Sequence, residues 1–538
     1  MKFTRREILA SFLGLPLALA ACRSKTDAAD VPGEIVGASV DVGHILRELR
    51  GAEVAAANWE NVKVAIVGGG AAGLSAAWNF AKNGFRDFTL LELEKNIGGT
   101  AQSGTDGVVP YPWGAHYLPV PFRENAPLVG LLDEMNLTEG RDANGELVIP
   151  EQYLCREPEE RVFYKGRWYE GLYLHPGASE DDKRELAEFQ KLVDGWVNWR
   201  DAEGRRAFAL PVAECSRDPQ VLALDKISFG DWLRQQNFKS ERLFWYCDYA
   251  TRDDYGLKLD NASAWAGLFY FCSRVRKSGE ESQPFITFPE GNGHFVNYLS
   301  EKVKDKIRLR TLAIEIVPRE KGVDVVYLDV DKNELRGLHA EKAIYAAPLF
   351  TAKYLIRDFR QSPPAFVKEF EHNAWFVANI FLKDRPKNRF TKDYPLSWDN
   401  VIYESPGLGY VNATHQKGMD YGPAVFTYYY PMCAEQDGRA KLFGLGHREL
   451  CDIILTDLTR AHPNLRELTE RIDVMRWGHA MISPRPGFLW SGARDEAQKP
   501  FRDIYFAHSD LSGLALFEEA FYHGVRAANE ILGTKPKN

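Results

Sequence analysis

The sequence predicts an α/β fold, in which a Rossmann-like nucleotide-binding domain shares the chain with a discontinuous, mixed α+β second domain. Three observations carry this reading. Gly68, Gly70 and Gly73 stand at GxGxxG spacing where an apolar β-branched run gives way to a helical repeat. Glu92 closes the run that follows. Strand-like stretches then return late in the chain, in EKAIYAAPL (Glu341 to Leu349) and in DIYFAHSD (Asp503 to Asp510).

The first unit runs from Val62 to Gly99. Val62 to Val67 reads as a short strand. Gly68 allows the tight turn, Gly70 removes the side chain that would hold a pyrophosphate away, and Gly73 lets the helix lie close on the strand. The helix N-terminus, with Ala72 in its first turn, offers unpaired N–H groups to phosphates. Leu74, Ala77, Trp78 and Ala81 recur at helical spacing, Gly84 ends the helix, and Phe88 to Leu91 forms the second strand. Glu92 lies 22 residues past Gly70, where a dinucleotide fold places the acceptor for ribose hydroxyls.

Gly98 and Gly99 follow that acid by six and seven residues. This spacing resembles the second half of the FAD signature in the flavin amine oxidase, protoporphyrinogen oxidase and phytoene desaturase superfamily. The resemblance implies non-covalent FAD, since no cysteine lies between Asp503 and Leu532, and it brings Thr100 to the place where relatives carry an arginine. It continues in FPEGNGHFVNYLSEKV (Phe288 to Val303), a turn opening a helix. It implies that the backbone near Ala313, in the strand Ile307 to Val317, meets the adenine. In the closing segment it implies that Asp510 meets the ribityl chain or pyrophosphate, and that a helix beginning near Leu516 faces the flavin carbonyl.

With 538 residues, the chain is too long for one ordinary core. Its 67 basic and 75 acidic residues give a net charge of −8, which argues against nucleic acid as a partner. Thr4, Arg5 and Arg6 precede a 14-residue apolar run, Ile8 to Ala21, too short to span a bilayer. This leader resembles a twin-arginine signal peptide. Leu19 to Cys22 resembles a lipobox, implying export and a lipid anchor at Cys22, with a periplasmic or cell-surface location. The six remaining cysteines contain no CxxC pair and read as free thiols, with no metal site.

The expected organisation is a signal peptide at 1–21, a tether and lead-in at 22–60, and an FAD-binding domain from 61–121, 285–355 and 495–533. The substrate domain takes 122–284 and 356–494. Residues 34–60 read as a short helix leading into the first strand. YPWGAHYLPVP (Tyr111 to Pro121) is a loop whose Trp113, His116 and Tyr117 either line the flavin or pack as ordinary aromatics. The 122–284 region reads as mainly helical, and helices are expected around Leu450 to Arg460 and Pro463 to Arg471.

Amine-oxidising relatives hold the substrate between two aromatic rings. Here Leu516 replaces one wall, beside Phe517, and Phe488 is the candidate for the other. The lysine that many relatives place in the strand HNAWFVANIFL is missing. His415 and His479 are either bases or hydrogen-bonded structural residues. The resemblance thus implies an FAD-dependent oxidoreductase passing a hydride to flavin N5, with an amine as leading substrate and oxygen or a membrane or periplasmic carrier as acceptor. Two alternatives stay open: a desaturase or isomerase acting on an apolar molecule, and a flavoprotein-like subunit without turnover.

Overall fold

A computed structural model describes residues 31–106, 109–280, 282–433 and 437–534. The leader, with Thr4, Arg5, Arg6 and Cys22, lies outside the described residues. Two large sheets organise the rest. In the seven-stranded sheet, Phe88–Leu91, Trp59–Val67 and Glu334–Tyr345 run parallel, with Ile504–Phe506 on the far side of Glu334–Tyr345. Val64 to Val67 are all buried, as a strand covered on both faces requires. The helix Ala71–Lys82 has nine consecutive buried residues, because the closing helix Phe517–Leu532 lies across it. A Cβ on Gly524 would fall 2.2 Å from the Ala72 carbonyl oxygen, so a glycine is needed at that crossing.

The eight-stranded sheet centres on His372–Leu382, flanked by Thr469–Ile482 and Ala424–Pro431. Its residues divide by the period of two. Phe376, Ala378 and Ile380 pack under the helix His447–Leu458, whereas Trp375 and Val377 join Tyr429, Val401 and Val411 on the opposite face. That opposite face bounds the site described below.

Several elements differ from the sequence reading, each for a tertiary reason. Ile35–Gly37 adds a parallel edge strand to Thr469–Ile482, ahead of a six-residue helix, Val40–Ile45. The 122–284 region is helical over Glu180–Asn198, Glu241–Tyr255 and Ala264–Cys272, but Glu160–Tyr164 and Arg167–Glu170 extend the large sheet as its last two strands. The second late helix shrinks to Leu465–Leu468, and Thr469 to Arg471 instead begin the strand Thr469–Ile482, where sheet pairing overrides local helical spacing. Ile307 to Val317 is broken at Arg310, which has φ of 52°: Ile307–Arg308 pairs with Phe88–Leu91, and Thr311–Pro318 pairs with Val323–Asp329. Among the described residues the six cysteines are free thiols, and no helix is long and apolar enough to cross a membrane.

Candidate active site

The Trp59–Val67 strand ends at Gly68, whose φ of 109° suits glycine alone. A Cβ on Gly73 would lie 1.9 Å from the Gly68 oxygen, so the bare glycine lets the helix settle on the turn. A Cβ on Gly70 would meet nothing within 4 Å. Open space therefore fronts the helix N-terminus, which no side chain caps. The second glycine turn lies alongside: the Gly98 N–H donates to the Gly69 carbonyl at 2.9 Å, and Gly98 and Gly99 both have positive φ. Thr100 is exposed beside it, and its carbonyl accepts the Ala115 N–H at 3.1 Å.

Glu92 is buried at the tip of its strand. One carboxylate oxygen accepts the Gly69 N–H at 2.7 Å and the other the Glu94 N–H at 2.8 Å. Burial pushes this carboxyl up to about 7 against those two N–H groups. The Thr311 N–H donates to the Glu92 carbonyl at 2.8 Å, which brings the strand bearing Ala313 next to the acid. The pairing register shifts between Ala313 and Glu315, so the ladder is interrupted there. An uncapped helix facing open space, an acid at the strand tip and an interrupted strand beside it are a donor set that fits FAD. The closing helix is also without a side-chain cap, and Leu516 stands half-buried just ahead of it.

Five candidates from the sequence have other roles. Asp510 is buried, and it accepts the Leu349 N–H at 2.9 Å and contacts His372 Nε2 at 3.0 Å and His508 Nδ1 at 3.1 Å. Burial alone would raise its pKa, but those two imidazoles hold it well below the usual carboxylate range. It braces the turn through protein partners. Phe488 is 0% exposed and packs edge-on against Phe370 at 5.4 Å, so it belongs to the core and forms no substrate wall. Phe517 is buried against Phe295 and Phe521. His415 is buried with its Nε2 on the Arg156 carbonyl at 2.7 Å, and burial lowers its pKa, so it is a structural histidine. His479 stacks on Phe350 at 3.8 Å, and burial lowers it to about 3.

His116 leads to an aromatic cavity. Its ring lies 5.0 Å from that of Trp398, 5.1 Å from Tyr429 and 5.1 Å from Tyr117, and burial lowers it to about 4. These rings, with Tyr249 and Tyr270, wall a small cavity of about 30 Å³. The Tyr429 hydroxyl donates to the Gly114 carbonyl at 2.8 Å, so the wall is fastened to the loop that also touches Thr100.

Three carboxylates, Glu160, Asp253 and Asp399, line the same cavity. Asp399 and Glu160 are register partners on adjacent parallel strands, and the Tyr249 hydroxyl donates to Asp399 at 3.4 Å. Glu160 and Asp253 have no hydrogen-bond or ion-pair partner among the described residues. Burial pushes Asp253 and Glu160 up to about 7 and about 8, with neighbouring carboxylates adding to it, and it raises Asp399 well above its ordinary value. No group of acids, histidines or cysteines among the described residues is placed to hold a metal ion. The sequence reading missed these acids because they sit on three elements far apart in the chain. The faint signal was Asp253 and Asp254 together at the end of an aromatic helical run.

The comparisons agree with this geometry. The family model for flavin containing amine oxidoreductases matches residues 71–532. An oxidoreductase, PigB from Serratia sp., is 22% identical over 290 residues, which are 51% of this chain and 41% of that protein. The match thus spans about two fifths of the relative's length. Putrescine oxidase bound to putrescine shares the fold with a TM-score of 0.64 at 19% identity, over 88% of this chain and 100% of that one. A fatty acid isomerase from P. acnes that produces CLA has a TM-score of 0.60 at 15% identity, over 87% and 98%. With a glycine turn, strand-tip acid and closing helix shaped for the cofactor and a family match over most of its length, this chain belongs to the flavin containing amine oxidoreductases and is an FAD-dependent oxidoreductase.

Proposed function

We propose that the enzyme oxidises an organic amine whose ammonium group enters the small aromatic cavity, using non-covalently held FAD. The observation that carries this is the set of three carboxylates in one aromatic-walled cavity, two of them without a protein partner. Burial favours the protonated form of these acids, and an arriving ammonium group supplies the positive charge that lets them ionise while the ring faces add cation–π contact. Among the described residues, the same lining offers a fatty acid's carboxylate no lysine or arginine to pair with, and gives a neutral alkene no polar partner it could use.

When bound, FAD supplies the two-electron acceptor. The chain's own residues do the rest. Gly68 to Gly73 and Glu92 hold the cofactor's phosphate and ribose end, the Trp113–Tyr117 loop joins that cleft to the cavity, and Trp398 and Tyr429 exclude water from the substrate. The reading is tested with the double variant Glu160→Gln, Asp399→Asn. It should weaken binding of 1,4-diaminobutane at least tenfold and leave FAD occupancy unchanged. Unaltered diamine affinity would remove these acids from the site.

Export and a lipid anchor at Cys22 complete the proposal, supported by the leader sequence alone. Loss of the protein from the membrane fraction in a Cys22→Ala strain is the check.

A further inference from the structure

Asp253 and Asp254 are consecutive acids in the last turn of the helix Glu241–Tyr255, yet their surroundings differ. Asp254 pairs with Arg274 at 3.4 Å, and Arg274 is itself fixed by a 3.1 Å hydrogen bond to the Tyr117 hydroxyl and by the rings of Tyr117 and Tyr270, 5.4 and 5.7 Å away. Asp253 faces the cavity with no partner. The other nearby cation, Arg252, turns away to Asp248 at 3.0 Å and to the carbonyls of Ser405 and Pro406.

Resting on the amine reading of the cavity, we propose that Asp253 takes the proton from the substrate ammonium, and that Arg274 holds Asp254 aside so that Asp253 stays free to do so. An ammonium has no lone pair to support loss of a hydride from the adjacent carbon. In the step proposed, one N–H bond of the ammonium breaks and one O–H bond forms on the Asp253 carboxylate. The electron pair stays on nitrogen. A charged pair becomes a neutral amine and a neutral acid, with no other reactant.

The surroundings favour that neutral product. Asp253 lies at a helix C-terminus, where the negative end of the dipole opposes a carboxylate. Tyr249, Arg252, Asp254 and Tyr255 face it from its own helix, Glu160 and Asp399 from the sheet, Arg274 and Tyr270 from the next helical segment, and Tyr117 and Tyr429 from the walls. Burial comes first in raising it, then Asp254, against the two arginines. An acid poised near neutrality accepts a proton from an amine better than an ordinary aspartate does.

Position also separates Asp253 from the other two acids. Glu160 and Asp399 are register partners on the sheet, but Asp253 adjoins the Arg274 cluster, which reaches the closing helix. Burial works to lower Arg274, and Asp254, Tyr117 and Glu518 outweigh it. Glu518 lies in the first turn of that helix, with one carboxylate oxygen buried and without a partner.

The test is the rate of flavin reduction by 1,4-diaminobutane in anaerobic holoenzyme between pH 6 and pH 10. Asp253→Asn should be slowed at least tenfold at pH 7 and come within threefold of wild type at pH 10, where more of the amine arrives neutral. Asp253→Glu should restore the wild-type profile. Equal slowing at every pH would assign Asp253 a structural role and overturn the proposal. A wild type that diamine reduces, matched by Asp253→Asn at every pH, would overturn this assignment alone. A wild-type flavin that no amine bleaches would overturn the amine reading itself.

Discussion

The Gly69 N–H donates to the Glu92 carboxylate at 2.7 Å, so the strand-tip acid also fixes the glycine turn ahead of the first helix. A change at either place should act on cofactor affinity before it acts on the fold.

Glu92→Ala should weaken FAD binding by about 1–3 kcal/mol, the range for losing hydrogen bonds to a charged group. Gly70→Ala should leave the stability of the cofactor-free protein within about 1 kcal/mol, since a Cβ there meets nothing within 4 Å, yet lower FAD affinity at least tenfold. Fluorescence titration of stripped protein with FAD reads both. Full affinity in Gly70→Ala would mean that the diphosphate does not approach that turn.

Phe488→Ala should lower stability by about 3–5 kcal/mol, the cost of emptying a fully buried phenylalanine site. The rate of flavin reduction per folded molecule should stay within about twofold of wild type, because the ring packs on Phe370 away from the cavity walls. Denaturant titration and stopped-flow reduction check the two halves. A selective loss of rate without loss of stability would return Phe488 to the substrate wall.

Glu519 gives a pH-dependent prediction. It is buried, accepts the Val212 N–H at 2.8 Å and a short hydrogen bond from Ser512, and burial pushes it up to about 7. The folded carboxyl binds its proton more tightly than the unfolded one, which titrates near 4.3. Its contribution to stability is therefore fully present below that unfolded value and lost as pH rises through about 7, a change on the order of 3 kcal/mol. Glu519→Gln should raise the unfolding temperature relative to wild type at pH 8 and lose that advantage at pH 5. The same offset at both pH values would contradict this.

The nucleotide-binding unit was legible in the sequence because its constraints are local. Gly68, Gly70, Gly73 and Glu92 each answer a steric or hydrogen-bonding demand set by residues within one βαβ unit. The substrate side was not legible, because its chemistry comes from contacts that span the chain. Glu160 meets Asp399 through strand pairing, and Asp254 meets Tyr117 through Arg274. Counting from motifs placed Phe488 at the cavity, but the chain after Ile482 turns it into the core. His415 had the right chemistry for a base and the wrong neighbours.

The central claim is that this FAD-dependent oxidoreductase takes a cationic amine. The most direct measurement is anaerobic mixing of the oxidised holoenzyme with 1,4-diaminobutane, hexylamine, a long-chain fatty acid and a neutral alkene, following bleaching of the flavin band. The account predicts bleaching by the amines at a rate at least a hundredfold above that with the fatty acid or the alkene. Bleaching by the alkene with none by either amine would contradict it.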